Sequence, residues 1–188
     1  YAAQDKPFAS GFTNPHRNGG DIMLKLNYMS TLFVGIDVSS KTNAVYAMDF
    51  EENKYISSSF GNNQPGADKL VNMIAECMHK HKNLNTILIV LESTSVYSVH
   101  ISNFLSTSEV LMPYKPYVFC VNPKATSNYR KSYIGMEKTD PIDAFLIADF
   151  ARVGRTKKLE PWRGGQFIAL KRLTRHRMHL SECITREK

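Results

Sequence analysis

The chain has 188 residues, 43% hydrophobic and 22% charged, with a formal net charge of +7, which is ample for a packed globular domain. No apolar run nears the roughly 18 residues of a membrane span, and no secretory apolar core opens the chain, so a membrane partner and a secreted protein are not expected. The charge is lopsided: residues 151–188 hold 11 Lys and Arg against 3 acids while the remainder nets −1, which suits polyanion binding by the tail or a merely solvated helix face.

Residues 1–30 mix turn formers with no sustained period and are set apart from the fold as an irregular extension. With no methionine first, Met23 or Met29 is a candidate natural start. From Thr31 the pattern sharpens into TLFVGIDV, AVYAMDF and YISSSF, three strands with short turns between them, hence an antiparallel meander. ADKLVNMIAECMHKH then places Leu70, Met73, Ile74, Cys77 and Met78 at helical spacing. TILIVLE is a strand covered on both faces, VYSVHISNFLS a short helix, and PYVFCVN another buried strand. Residues 123–138 read as a polar, basic loop. DPIDAFLIADFARVG is a helix with Pro141 in its first turn and Gly154 as its stop. LEPWRGG reads as a linker. From Gln166 a 4-3-4-3-4 spacing through Leu170, Leu173, Arg177, Leu180 and Ile184 resembles a coiled-coil seam, weakened by Arg177. The order predicts a mixed, five-stranded α/β sheet flanked by helices over residues 31–158, then a linker and a basic helix over 159–188. Cys77, Cys120 and Cys183 are far apart and odd in number, and read as reduced thiols in a cytoplasmic protein.

Four acids fall at element ends. Asp37 closes VGID, an apolar strand in which a carboxylate is costly to bury unless paired or metal-bound. Glu92 ends TILIVLE. Asp140 and Asp143 open the last helix of the domain, three positions apart and so on one face. If the first and fourth strands are neighbours, all four can converge, and repelling carboxylates need a cation. Oxygen-only ligation suits Mg2+, with Mn2+ possible, and paired ions about 4 Å apart serve phosphodiester chemistry. Each site also has a plainer account: Asp140 as a helix cap with Asp143 favoured by the helix dipole, Glu92 as an ion-pair partner, Asp37 as a turn former. GIDVSSKT adds a strand running into small hydroxyl residues, as in the phosphate cradle of actin-like sugar kinases, but no later glycine-rich adenosine loop follows.

Taken in order, VGIDVSSKT, VLEST, NPKATSNYRKS and KTDPIDAFLIADFAR resemble the DEDD-type transposases of the insertion sequence 110 family, which includes the Piv-type invertases. The KTDxxDA signature at Lys138, Thr139, Asp140, Asp143 and Ala144 is its most specific part. Ser95 departs from it, standing where many relatives have glycine. The resemblance implies a RuvC-like, RNase H-like fold, with Asp37, Glu92, Asp140 and Asp143 as catalytic metal ligands. It also implies DNA recombination, in many members guided by a structured RNA, with a serine-bearing domain beyond Lys188. A RuvC-like nuclease and a non-catalytic nucleic-acid module are the alternatives.

Lys124, Tyr129, Arg130, Lys131 and Tyr133 interleave cations with aromatics just before Asp140, fit for phosphates and unpaired bases. The other reading packs the tyrosines back on the domain. Lys138 adjoins the carboxylates and could contact a scissile phosphate. Lys171, Arg172 and Arg175 on the last helix suit nucleic acid, and the same helix is expected to pair with a second copy of the chain.

Overall fold

The apolar runs become five strands: β1 (Thr31–Asp37), β2 (Thr42–Met48), β3 (Lys54–Gly61), β4 (Thr86–Glu92) and β5 (Pro116–Val121), arranged β3-β2-β1-β4-β5. The computed structural model describes residues 26–93, 96–133, 135–137 and 139–187, with backbone only at 96, 165–168 and 171. β1, β2 and β3 pair antiparallel, whereas β1 with β4 and β4 with β5 are parallel. Parallel neighbours need long crossovers. These are supplied by α1 (Gln64–Lys80) before β4 and α2 (Val96–Thr107) before β5.

The unbroken apolar runs of β1 and β4 follow from their central place, because both faces are covered. Leu32, Val34, Ile36, Ile87, Ile89 and Leu91 join Leu70, Ile74 and Met78 of α1 and Ile101 and Leu105 of α2. The alternate residues Phe33, Leu88 and Val90, with Phe119 of β5, meet Ile147, Ala148 and Ala151 of α4 (Asp140–Arg152) on the other face. Full burial of each such aliphatic side chain contributes roughly 1.5–3 kcal/mol, so the two layers outweigh any single cap or turn in fixing the sheet. The mixed α/β sheet expected from the strand pattern is the one observed.

Four local expectations change. The segment 123–138 is not all loop, for α3 (Pro123–Arg130) occupies its first half. Asn122 caps α3 by accepting from the Lys124 N–H at 2.9 Å, and Pro123 opens it. This Asn-Pro start is a helix signal despite the polar composition. α1 begins at Gln64 rather than Ala67 because Asn63 accepts from the Gly66 N–H at 2.9 Å. Residues 26–30, set aside with the extension, pack on the domain: Tyr28 lies 5.6 Å from Phe33 between ring centroids, in a 3-10 turn spanning Tyr28–Ser30. Residues 1–25 of that extension lie outside the described residues. Finally, the linker is clamped. Trp162 donates its backbone N–H to Val118 at 2.7 Å and its indole N–H to Asn103 at 2.8 Å.

α5 (Gly165–Arg186) follows as 22 helical residues. Leu170, Leu173, Leu180 and Ile184 of the expected seam are exposed along it, Leu173 by 67%.

Candidate active site

Strand alternation sends Phe33, Gly35 and Asp37 to the face covered by α4, and Leu88, Val90 and Glu92 to that same face. β1 and β4 run side by side in parallel, with Ile36 opposite Leu91, so Asp37 and Glu92 end adjacent strands as neighbours. The register places Ala44 of β2 beside Asp37 and Val121 of β5 beside Glu92.

α4 lies across these strands unusually close. A Cβ added at Gly35 would stand 2.2 Å from the Ala144 carbonyl oxygen and 2.3 Å from the Ala148 nitrogen. Only glycine permits that approach. α4 runs opposite to β1: Arg152, near its end, donates to the Phe50 carbonyl at 3.3 Å, beyond the end of β2. At its start, Asp140 and Pro141 line an open trough of about 390 Å³ with Thr42, Asn43, Ala44 and Ser57 to Ser59. The first turn of α4 therefore stands over the edge that carries Asp37 and Glu92. Asp37 and Glu92 thus end neighbouring strands, and Asp140 and Asp143 open the helix packed over that end of the sheet.

Capping does not explain the aspartates of α4. The cap position is Thr139, whose side chain makes no cap hydrogen bond, and Asp140 is already the first helical residue. The helix dipole favours both carboxylates by about 0.3–1 kcal/mol each, too little to gather four like charges. Asp37, Glu92 and Asp143 are half-buried and Asp140 is exposed.

Glu92 and Asp143 hold partners that the sequence did not reveal. The Thr126 hydroxyl of α3 donates to the Glu92 carboxylate. Arg130, one turn further along α3, donates to the Asp143 carboxylate, while its other terminal nitrogen reaches the Glu137 carbonyl at 3.0 Å. Among the described residues no three acidic, histidine or cysteine side chains lie close enough to hold a metal ion. The donor set nonetheless fits a hard divalent cation: it is carboxylate throughout, and Asp143 already holds a positive group.

α3 is fastened by a buried network. The hydroxyls of Tyr129 and Tyr133 donate to Asp149, and Arg152 Nε donates to the same carboxylate at 2.7 Å. Burial, then Asp149, pushes the pKa of both tyrosines up. Tyr129 thus packs back into the domain, its ring 5.4 Å from Phe150, rather than standing out for bases to stack on. Of the two readings open for the tyrosines, Tyr129 follows the packed one, contacting Asp149, while Arg130 contacts Asp143. Lys124 on α3 and Lys131 just past its end are exposed, with Lys131 reaching Asn128 at 3.3 Å. Arg172 and Arg175 are exposed on α5. Lys138, Thr94 and Ser95 lie outside the described residues, as does the Lys171 side chain. In the turn after β1 the Ser39 hydroxyl donates to the Thr42 carbonyl. Asp149 and Thr126 were not singled out from the sequence; NPKATSNYR, read as a helix, was the signal that could have revealed Thr126.

Among solved structures, the chain is similar to Thermus thermophilus RuvC in complex with a Holliday junction substrate, with 9% identity over 70% of this chain and 99% of that one, at a TM-score of 0.47. It also matches the human cytomegalovirus terminase nuclease domain, soaked in Mn, with 14% identity over 74% and 94% of the two chains and a TM-score of 0.41. The yeast mitochondrial Holliday junction resolvase gives 14% identity, 73% and 86% coverage and a TM-score of 0.37. These overlaps are loose, and no curated protein matches the chain. The decisive finding is in sequence: a family model described as Transposase, that of the DEDD transposases of insertion sequence 110, matches residues 34–188. It spans every strand from within β1 onward and all four acids. The chain belongs to the DEDD transposase family of insertion sequence 110.

Proposed function

We propose that this domain is the metal-dependent catalytic part of a DNA transposase, cutting and transferring strands through Asp37, Glu92, Asp140 and Asp143. The observation that carries the reading is the adjacency of Asp37 and Glu92 at the ends of parallel β1 and β4, beneath the first turn of α4. Sheet-end acids on two core strands are fixed by the packing of Leu32 to Ile36 and Ile87 to Leu91, so their spacing is set before any substrate arrives. Mg2+ or Mn2+ held there supplies the chemistry of phosphodiester displacement, activating the attacking oxygen and neutralising the leaving one.

The protein's own residues orient this site. Thr126 fixes one oxygen of Glu92, and Gly35 sets how deep α4 seats. Lys124, Lys131, Arg172 and Arg175 offer exposed cations to DNA phosphates and to a structured guide RNA. The exposed seam Leu170, Leu173, Leu180 and Ile184 supports self-association through α5.

Calorimetric titration with Mn2+ tests the reading. Wild-type protein binds, and Asp37→Asn loses that binding by tenfold or more while its circular dichroism is unchanged. Equal affinity in the two proteins would falsify the four-carboxylate site.

A further inference from the structure

The contact between Arg130 and Asp143 carries an inference that rests on the metal reading above and goes beyond it. We infer that Arg130 is a positioning residue that acts as a placeholder cation, holding Asp143 in the ion-free site and competing with the divalent ion for it.

Asp37 and Glu92 end neighbouring strands, and Asp140 and Asp143 open the helix packed over that end of the sheet. Like charges 4 Å apart repel by about 1 kcal/mol in water and about 4 kcal/mol near a protein surface. Arg130 offsets one of these charges through its ion pair with Asp143. Both partners are half-buried, with side-chain exposures of 24% and 19%.

The backbone under Arg130 is held, so the side chain alone can yield. Tyr129 on one side and Tyr133 three residues on are both tied to buried Asp149, and α3 leans on α4 through Tyr129 and Phe150. The guanidinium has a second partner in the Glu137 carbonyl at 3.0 Å. It can thus release the carboxylate without being cast fully into water.

Guanidinium carries donors only and cannot ligate a cation. An ion taking the Asp143 oxygen that Arg130 holds must displace it. The exchange makes Arg130 oppose ion binding, the reverse of what a merely structural arginine would do. An arm freed this way stays beside the site, and its planar fork matches a phosphate.

The test is Mn2+ titration calorimetry on wild type, Arg130→Gln and Arg130→Lys, with thermal melting in chelator and in Mn2+. Removing the charge raises Mn2+ affinity about fivefold, the scale of one partly exposed ion pair. Arg130→Lys, which keeps the charge but loses the fork, falls between. Arg130→Gln also gains more in melting temperature on adding Mn2+ than wild type does. Unchanged or weaker Mn2+ binding in a folded Arg130→Gln overturns the inference and leaves the metal reading intact. Should Arg130→Gln not fold, affinity in Arg130→Lys at or below the wild-type value overturns it equally. Absence of Mn2+ binding in wild type removes both.

Discussion

At the scale of single residues, two acids outside the proposed site stabilise the fold. Asp149 is fully buried and surrounded by two tyrosine hydroxyls and Arg152; an unpaired charge there would cost several kcal/mol. Asp49 sits at the end of β2 and accepts from the Asn53 N–H, the Asn53 amide and the Tyr55 hydroxyl, each at 2.9 Å. Burial alone would raise its pKa, but these hydrogen bonds together hold it below the usual carboxylate value. A depressed folded pKa means that the stabilisation is present above the unfolded value near 3.9 and is lost as the pH falls through the folded one. Asp49→Asn is therefore expected to lower stability by about 1 kcal/mol at neutral pH. In urea melts at a series of pH values, that gap closes below about pH 4. A gap that persists on acidification would refute the account. Cys77 and Cys120 are pushed up to about 11, chiefly by burial, which keeps both protonated and unreactive at neutral pH.

At the scale of elements, α4 is the part on which the site turns. Its seating depends on Gly35, where the backbone meets Ala144 and Ala148 with no room for a methyl group. Gly35→Ala is expected to push α4 outward and destabilise the domain by about 3 kcal/mol, measured by denaturant melting. Because α4 carries Asp140 and Asp143, Mn2+ affinity falls with it. A variant that melted normally and bound Mn2+ normally would show that α4 is not seated by this contact. The sheet itself was legible in sequence, since β1 and β4 are covered on both faces and Val, Ile and Leu runs record that directly. α3 was not, for its inward face is only Ala125, Thr126 and Tyr129 amid polar neighbours. Composition hid it, although Asn122 and Pro123 announced it. The pairing of Arg130 with Asp143 was beyond reach, because it depends on how two helices pack across an intervening loop.

At the scale of the molecule, the charge asymmetry seen in sequence becomes spatial. Asp37 and Glu92 end the two central strands, and much of the basic excess is displayed along α5. Nucleic-acid affinity should then fall linearly with the logarithm of salt concentration. Replacing Arg172 and Arg175 together with Ala is expected to make that slope shallower by about 2, read by fluorescence anisotropy with duplex DNA. An unaltered slope would remove α5 from the DNA-binding surface.

The four acids are mounted on two kinds of support. Asp37 and Glu92 are built into strands at the centre of the sheet, whereas Asp140 and Asp143 ride on a helix resting against it. Sliding α4 by one residue would carry its pair about 1.5 Å along the axis and swing them by roughly 100°, enough to misalign one half of the site against the other. If the proposed site is the working one, anything that unseats this helix, a neighbouring domain or a bound strand, would silence it while every acid remains intact.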